Sequence, residues 1–254
     1  MVLRILNRVI REIGYKIVKG ASPRQEYKDI KDEDFWEIYE CCKAYSMTSV
    51  DRFYALYNAV NYIIDNDIKG DFVECGVWRG GSSMIIALIL KKRGDHTRKI
   101  YMYDTFEGMS EPTNYDVDLD GSSAVKQLSA TAHKKETSVW CLASYEDVER
   151  NISTTGFPME NIKMIKGKVE DTIPENLPDM ISLLRLDTDW YESTKHELTH
   201  LYPLLSTNGV MIIDDYGHWE GCRRAVDEYF IGLQERLFLN RIDYTGRIGI
   251  KFAV

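Results

Sequence analysis

Residues 72–83 read FVECGVWRGGSS, and this stretch decides the fold because it joins an apolar strand to a helix through a glycine-containing turn. Gly76, Gly80 and Gly81 permit positive φ or a close approach of the backbone to a ligand. The free amide groups at the start of the following helix can bind an anionic ligand group. The stretch therefore predicts the first strand, turn and helix of a Rossmann-like domain, with a ligand at the turn.

Glu74 narrows the class of ligand. A dinucleotide fingerprint needs GxGxxG, whereas this chain has ExGxxxGG, with Glu74 at the place of the first glycine. A carboxylate beside the turn repels a pyrophosphate and favours a cationic ligand such as a sulfonium or an amine. The pattern therefore disfavours a nicotinamide dinucleotide.

Strands and helices alternate along the rest of the chain, which predicts a mostly parallel sheet covered on both faces. Strands are predicted at residues 72–77, 100–104, 162–165, 181–187 and 210–214. Helices are predicted at residues 83–92, 144–153, 191–205 and 223–233. Two final runs, 238–244 and 247–252, flank Thr245 and Gly246 and predict an antiparallel terminal hairpin. The predicted fold class is α/β, with a Rossmann-like, mostly parallel seven-stranded sheet.

The first 70 residues contain no predicted strand. Helices are predicted at residues 32–45 and 50–66, and a turn follows around Gly70. We therefore predict two regions: residues 1–70 as a helical N-terminal cap, and residues 71–254 as the α/β domain that binds the ligand.

The second predicted strand ends at Asp104, in YMYDTFEG. An acidic residue at this place in a Rossmann-like unit typically accepts hydrogen bonds from ribose hydroxyls. Together with the glycine turn, it indicates a ribose-bearing ligand without a pyrophosphate, which fits S-adenosylmethionine better than NAD. Ser144 and Asp147 form a variant capping box in ASYEDVER, so the Ser144 hydroxyl either caps a helix or approaches the adenine.

Two acidic pairs follow apolar runs that are predicted to be buried strands. Asp187 and Asp189 lie in LLRLDTDWYES, and Asp214 and Asp215 lie in GVMIIDDYG. Both pairs should face one crevice, because ligands bind outside the carboxyl ends of parallel strands. Three carboxylates about 5 Å apart repel one another by roughly 10 kcal/mol in total at an effective dielectric near 20. Such a cluster suits a hard divalent ion such as Mg²⁺, although aspartates after strands also serve as helix caps and turn formers.

Composition excludes several classes of protein. The chain has 254 residues and a net charge of −8, which argues against broad binding to nucleic acid. Its five cysteines show no CxxC spacing, so neither a disulfide framework nor a zinc site is predicted. A reducing cytoplasm is the expected compartment.

The N-terminal stretch MVLRILNRVIREIGYKI is basic and predicts an amphipathic helix. Charges interrupt its apolar positions too often for a signal peptide core or a spanning helix. It could lie on an anionic membrane surface, but packing on its own domain or on a second subunit is favoured. We therefore expect a homo-oligomer, a dimer or larger, and not an integral membrane protein.

The interval from Phe106 to Thr137 is long, polar and weakly periodic. A loop of this length is uncommon unless it works as a lid or a binding loop, or is disordered. His218 either touches substrate, acts as an alternative base or is a hydrogen-bonded surface residue. Trp190 and Trp219 flank the acidic site, where they either stack on a sugar ring or belong to the core.

Four segments, ECGVWRGG, YDTFEGM, LLRLDTDWYEST and IIDDYGHWEGCRRAVDEY, closely resemble the macrocin O-methyltransferase family. The resemblance extends from about Met47 to about Phe230. It implies a class I methyltransferase fold and an S-adenosylmethionine-dependent, Mg²⁺-dependent enzyme that methylates a hydroxyl of a sugar or glycosylated natural product. Residues 71–254 are then the S-adenosylmethionine-binding methyltransferase domain.

The resemblance also implies roles for individual residues. It assigns Mg²⁺ to Asp187, Asp214 and Asp215 and makes Asp189 the general base. Residues 45–48 would lie over cofactor or substrate. The implied cofactor-binding residues are Thr48, Glu74, Cys75, Gly76, Val77, Trp78, Gly80, Ser82, Asp104, Thr105, Phe106, Gly108, Ser144 and Asp187.

Other functions remain possible at this stage. A phenol or catechol O-methyltransferase uses a similar acidic site on the same fold. A nicotinamide-dependent oxidoreductase is disfavoured by Glu74. A noncatalytic Rossmann-like assembly module, docking by its basic N-terminal helix, is disfavoured by the four aspartates. The acceptor itself is expected to be a sugar-containing small molecule.

Overall fold

The computed structural model describes residues 22–133, 139–233 and 237–252. The amphipathic helix predicted at the N-terminus lies outside these residues. The chain divides into two compact units, Met1–Trp36 and Glu37–Val254. In the described part of the first unit, the indole Nε1 of Trp36 donates to the backbone oxygen of Ile30 at 3.1 Å.

The second unit contains a seven-stranded sheet. Its strands, in chain order, are β1 (Asp71–Cys75), β2 (Ile100–Asp104), β3 (Ile162–Lys166), β4 (Ile181–Leu186), β5 (Leu205–Ile213), β6 (Asn240–Arg241) and β7 (Arg247–Ile250). Their spatial order is β3-β2-β1-β4-β5-β7-β6. Strands β1 to β5 pair in parallel, and β7 pairs antiparallel with both β5 and β6. The predicted mostly parallel sheet with an antiparallel end is confirmed.

Nine described α-helices accompany the strands. They are α1 (Pro23–Glu26), α2 (Glu33–Cys42), α3 (Val50–Asp65), α4 (Gly81–Arg93), α5 (Ala124–Thr131), α6 (Tyr145–Ser153), α7 (Val169–Thr172), α8 (Tyr191–Leu201) and α9 (Glu220–Leu233). None of these helices is long and apolar enough to cross a membrane.

The central strands form the core because their side chains are apolar on both faces of the sheet. Phe72 in β1 and Leu183 and Leu184 in β4 are completely buried. Such runs are typical of a parallel sheet covered by helices on both sides. Glu74 in β1 and Arg185 in β4 are charged exceptions, since their side chains are only 1% and 3% exposed.

Three predicted boundaries in the last quarter of the chain were wrong. Helix α8 ends at Leu201, and a short 3₁₀ turn with Pro203 follows, because proline cannot continue the helix. Strand β5 therefore begins at Leu205, earlier than predicted. The predicted strand 238–244 is reduced to β6, because the Asp243 side chain accepts hydrogen bonds from the amides of Thr245 and Gly246 and folds residues 242–246 into a loop.

The described part of the long polar interval, residues 106–133, folds around a buried aspartate. One oxygen of Asp116 accepts from the amide and hydroxyl of Thr113, at 2.6 and 2.9 Å, and the other accepts from the amide of Tyr191 at 2.8 Å. Helix α5 follows, beginning at Ala124. These bonds attach the interval to the start of α8.

Candidate active site

A cavity of about 420 Å³ lies at the carboxyl ends of β1 to β5. This cavity is lined by most of the residues that were predicted from the sequence to bind the cofactor or the metal, or to accept the proton. They are Thr48, Glu74, Gly76, Val77, Trp78, Ser82, Asp104, Thr105, Gly108, Asp187, Asp189, Asp214 and Asp215. The structure therefore brings the glycine turn and the four aspartates into one crevice.

The glycine turn is fixed by Asp104. One carboxylate oxygen of Asp104 accepts hydrogen bonds from the amides of Val77 and Trp78, at 2.7 and 3.2 Å, and the other accepts from Phe106 at 2.7 Å. Burial raises the pKa of Asp104, and these three amides oppose the rise. Gly76 has a φ of 81°, and a Cβ there would overlap the backbone oxygen of Asp187. Only glycine allows the turn to pack this closely on the end of β4.

Glu74 lies beneath the turn and is almost completely buried. Its Oε2 accepts from the Ser83 hydroxyl at the start of α4, and its Oε1 accepts from Arg185 at 2.8 Å. Burial raises the pKa of Glu74, while the charge of Arg185 lowers it. The predicted negative charge beside the turn is therefore already paired with a cation of the protein.

Arg185 connects the two halves of the site. Its Nη1 donates to Glu74 at 2.8 Å and to Asp187 at 2.6 Å, and its Nη2 donates to Asp214 at 2.6 Å. The three carboxylates come from β1, from the end of β4 and from the end of β5. Arg52 in α3 adds a second guanidinium, which donates to the other oxygen of Asp214.

These arginines change the electrostatic argument made from the sequence. From the sequence, the repulsion among the aspartates was predicted to need protons or a bound cation. In the structure, Arg52 and Arg185 supply part of that positive charge. Five carboxyl groups interact with these two guanidinium groups; they belong to Glu74, Asp187, Asp214, Asp215 and Asp243. Asp189 adds a sixth carboxyl group beside Asp215. The cluster keeps a net negative charge unless protons or cations bind to it.

Three of the carboxylates can share one ion. Asp187, Asp214 and Asp215 each offer one oxygen, and these oxygens lie within 4.8 Å of one another. Asp215 Oδ2 is buried and has no hydrogen-bond partner among the described residues. Burial raises the pKa of Asp215 well above its ordinary value, and the charges of Asp189 and Asp214 raise it further.

Asp189 lies in direct contact with Asp215. Their carboxyl groups are close enough to share a proton. Burial is the main cause that raises the pKa of Asp189 to about 7. The backbone φ of Asp189 is 68°, a left-handed conformation that is uncommon outside glycine and is often found at functional sites.

Four of the predicted cofactor-binding residues do not line the cavity. Cys75 and Phe106 are buried, and Gly80 is the N-cap of α4 with a φ of 91°. The Ser144 hydroxyl accepts from the amide of Asp147 at 3.2 Å and caps α6. Of the two roles considered for Ser144, the structure shows the helix cap.

Sequence reasoning missed several residues of the cavity wall. Lys168 and Glu170 follow β3, Arg52 comes from α3, and Tyr244 comes from the loop between β6 and β7. The rule that ligands face the carboxyl ends of parallel strands also applies to β3 and could have located the first two. Arg185 carried a clearer signal, because it is a charged residue within the apolar run ISLLRL.

More than one role was predicted for Trp190, Trp219 and His218. Trp190 is 1% exposed and packs edge to face on Trp219, with ring centroids 4.9 Å apart, so it belongs to the core. Trp219 is also buried but contributes to the cavity wall. His218 lines the cavity, and its buried Nδ1 has no hydrogen-bond partner in the described parts of the chain.

The sequence matches the family model described as macrocin-O-methyltransferase (TylF) over residues 7–248. The chain belongs to the macrocin O-methyltransferase family. It is therefore an S-adenosylmethionine-dependent O-methyltransferase, and the alternatives of an oxidoreductase and a noncatalytic module are set aside.

Individual relatives of this family member are also named as O-methyltransferases. It is 34% identical over 186 residues to demethyldecarbamoylnovobiocin O-methyltransferase of Streptomyces niveus, covering 73% of this chain and 68% of the relative. It is 34% identical to 8-demethyl-8-(2,3-dimethoxy-alpha-L-rhamnosyl)-tetracenomycin-C 4′-O-methyltransferase of Streptomyces olivaceus, covering 73% of this chain and 67% of the relative. Among solved structures, the O-methyltransferase NovP superposes with a TM-score of 0.72 at 30% identity, covering 82% of this chain and 83% of NovP.

Proposed function

We propose that this methyltransferase is Mg²⁺-dependent and transfers a methyl group to a hydroxyl of a sugar-containing small molecule. The observation that carries the proposal is the group of three carboxylates from Asp187, Asp214 and Asp215, within 4.8 Å of one another and lining the same cavity as the glycine turn. The sugar acceptor is supported by the Streptomyces olivaceus relative, whose name describes a 4′-O-methyltransferase with a rhamnosyl group on its substrate.

The cofactor side of the site suits S-adenosylmethionine. Its sulfonium is a cation, and the acidic cluster around Glu74 has more carboxyl groups than guanidinium groups. Asp104 is held by backbone amides at the end of β2, where a ribose is bound in Rossmann-like sites. We assign the wall formed by Glu74, residues 76–78 and residues 104–108 to the cofactor.

The metal side suits Mg²⁺ by its donor atoms. All three candidate ligands are carboxylate oxygens, which Mg²⁺ prefers. Asp215 Oδ2 has no hydrogen-bond partner among the described residues, and a carboxylate oxygen that already accepts from arginine has a second lone pair. When bound, Mg²⁺ lowers the pKa of a coordinated hydroxyl and holds it in place.

Asp189 is the proposed general base. Its carboxylate would accept the hydroxyl proton as the acceptor oxygen attacks the methyl group. A base is most effective when its pKa is near the working pH, and the pKa of Asp189 is raised to about 7. Asp189 has a left-handed backbone and lines the cavity with Asp215.

Calorimetry separates the cofactor and metal assignments. We expect wild type to bind S-adenosylhomocysteine and then Mg²⁺. Asp215→Asn should retain S-adenosylhomocysteine but bind Mg²⁺ at least about tenfold more weakly, because one anionic ligand is lost. Asp120→Asn, at an exposed loop position, is the matched control. Undiminished Mg²⁺ binding in Asp215→Asn would refute the metal site.

The acceptor is tested by a substrate panel with EDTA controls. We expect methyl transfer to glycosylated natural products, abolished by EDTA and restored by Mg²⁺. Activity confined to catechols would overturn the sugar assignment, and full activity in EDTA would overturn the metal dependence.

Residues 1–70 are proposed as the region for substrate and subunit contacts. The support is the basic amphipathic pattern at the N-terminus and the position of residues 45–48 and Arg52 on the cavity wall. We also propose a homo-oligomer in the cytoplasm, where the cysteines stay reduced. Light scattering of the full chain tests the oligomer, and a monomer at micromolar concentration would contradict it.

A further inference from the structure

Residues 45–48 form one wall of the cavity and connect a short 3₁₀ turn, Lys43–Tyr45, to the Ser49 N-cap of α3. Side chains of this segment are partly exposed, and Met47 is 53% exposed. The segment belongs to no α-helix or strand. Its position beside the cofactor turn therefore depends on contacts from neighbouring elements.

Arg79 provides such contacts from within the glycine turn. Its guanidinium lies over the ring of Tyr45, 5.1 Å from the centroid, which is a cation–π geometry. Its Nη1 also donates to the backbone oxygen of Ala44, in a long hydrogen bond of 3.4 Å. One side chain of the cofactor turn thus holds both the ring and the backbone at the start of the segment.

Gly81 allows the segment to come this close. A Cβ at Gly81 would lie 2.6 Å from both the Tyr45 backbone oxygen and the Ser46 Cβ, so any other residue would push the segment outward. The first turn of α4 and residues 45–46 are therefore packed backbone against backbone. Arg79 therefore contacts the start of a segment that already packs against the glycine turn.

Asp147 fixes the orientation of Arg79. The carboxylate accepts from Arg79 Nε at 2.8 Å and from Nη2 at 3.3 Å, a two-point contact that sets the plane of the guanidinium. Asn151 adds a hydrogen bond of 3.1 Å to the backbone oxygen of Arg79. Asp147 and Asn151 both lie on α6, whose N-terminus is capped by Ser144. Ser144, which does not line the cavity, contributes indirectly by fixing the helix that fixes Arg79.

We propose that Arg79 is a positioning residue that holds residues 45–48 against the methyl-donor site and slows the release of the cofactor product. The proposal rests on the cofactor site assigned under the proposed function. In this role, Arg79 affects how long the cofactor product stays bound and does not take part in methyl transfer itself.

The test measures the dissociation rate of S-adenosylhomocysteine by stopped-flow fluorescence, with equilibrium binding by calorimetry. Arg79→Ala should raise the dissociation rate about fivefold to tenfold, the range expected from loss of a partly buried cation–π contact. Tyr45→Ala should have a similar effect. Tyr45→Phe keeps the ring and should dissociate at nearly the wild-type rate.

Arg150→Ala is the matched control. Arg150 also forms an ion pair with Asp147, but its side chain is 67% exposed and it contributes nothing to the described cavity wall. Like Arg79→Ala, the Arg150→Ala substitution removes one positive charge from beside Asp147. It should leave the dissociation rate of S-adenosylhomocysteine unchanged. The double variant Arg79→Ala with Tyr45→Ala should release the product no faster than the faster single variant, because both substitutions break one contact.

The outcomes distinguish this proposal from the one it rests on. Wild type that fails to bind S-adenosylhomocysteine would overturn the cofactor site and this proposal together. Wild type that binds, with Arg79→Ala and Tyr45→Ala both dissociating at the wild-type rate, would overturn the role of Arg79 alone. An equal acceleration in Arg150→Ala would assign the effect to Asp147 instead. If thermal unfolding shows that Arg79→Ala does not fold, Asp147→Asn replaces it, because Asp147 orients Arg79 and does not line the described cavity. Asp147→Asn should then release the product faster, and a wild-type rate would overturn the role of Arg79.

Discussion

Glu197 on α8 provides a pH-dependent prediction that is independent of substrate. Its side chain is completely buried; Oε1 accepts from the Thr188 hydroxyl at 2.9 Å, and Oε2 has no hydrogen-bond partner among the residues described. Burial raises the pKa of Glu197 well above its ordinary value of 4.5, and the charges of Glu170 and Asp187 add to the rise. The native protein therefore keeps a proton that the unfolded chain releases.

The sign of the effect follows from this difference in bound protons. The stabilising contribution of Glu197 is complete below pH 4.5 and is lost as the pH rises toward the folded-state pKa. Glu197→Gln carries no titrating proton, so wild type should lose stability relative to it by about 1.4 kcal/mol per pH unit in this window. For a chain of this size, that slope corresponds to about 3–6 °C in Tm per pH unit.

The assay is thermal unfolding of both proteins from pH 5 to pH 8. The glutamine amide lacks a partner where Oε2 lies, which lowers the stability of Glu197→Gln by about 1–3 kcal/mol at every pH. The informative quantity is therefore the change of the Tm difference with pH, not its absolute size. Glu192→Gln, at an exposed position of the same helix, is the control and should show no such slope. A Tm difference for Glu197→Gln that stays constant with pH would refute the reasoning.

Three further predictions concern the site. Asp189→Asn should lower kcat by about 10²–10⁴-fold while S-adenosylhomocysteine binding by calorimetry stays unchanged, because a general base contributes about this much; equal loss of binding would contradict its role as base. Arg185→Met should lower the free energy of unfolding in urea by about 3–5 kcal/mol, because it leaves Glu74 and Asp187 without the guanidinium that they share. A loss below about 1 kcal/mol would show that the cluster is neutralised by protons instead. Gly76→Ala should abolish S-adenosylhomocysteine binding, because its Cβ would overlap the backbone of Asp187. Gly94→Ala is the control, since Gly94 has a φ of 71° but no atom within 4 Å of an added Cβ. It should lower the free energy of unfolding in urea by only about 1–2 kcal/mol and keep S-adenosylhomocysteine binding.

The position of the site was predictable because it depends on local patterns. Each apolar strand ends where its acidic residues begin, so Asp104, Asp187 and Asp214 could be placed at one edge of the sheet without knowing any contact. The parallel part of the sheet followed from the alternation of strand and helix, and the antiparallel end followed from the turn at Thr245 and Gly246; the order of the strands was not predicted and comes from the structure.

The electrostatic partners were not predictable in the same way. Arg52 lies far from Asp214 in the chain, and only the packing of α3 beside β4 and β5 brings the two together. The sequence carries no periodic signal for such a contact. The role of Ser144 was also undecided for a physical reason, since a serine just before a helix can cap it or bind a ligand, and only the observed hydrogen bond from the amide of Asp147 distinguishes the two.

The loop between β6 and β7 completes the acidic site from the far end of the sequence. Thr245 donates to the backbone oxygen of Asp214 at 2.7 Å and accepts from the amide of Gly217 at 2.8 Å. Asp243 pairs with Arg52 at 3.1 Å. During synthesis, strands β1 to β5 are made before this loop, so the backbone of Asp214 and the guanidinium of Arg52 lack these partners until residue 245 has been made. The charge cluster therefore closes last as the chain grows, and a released chain truncated at residue 240 should be more easily digested by proteases at the end of β5 than the full-length protein.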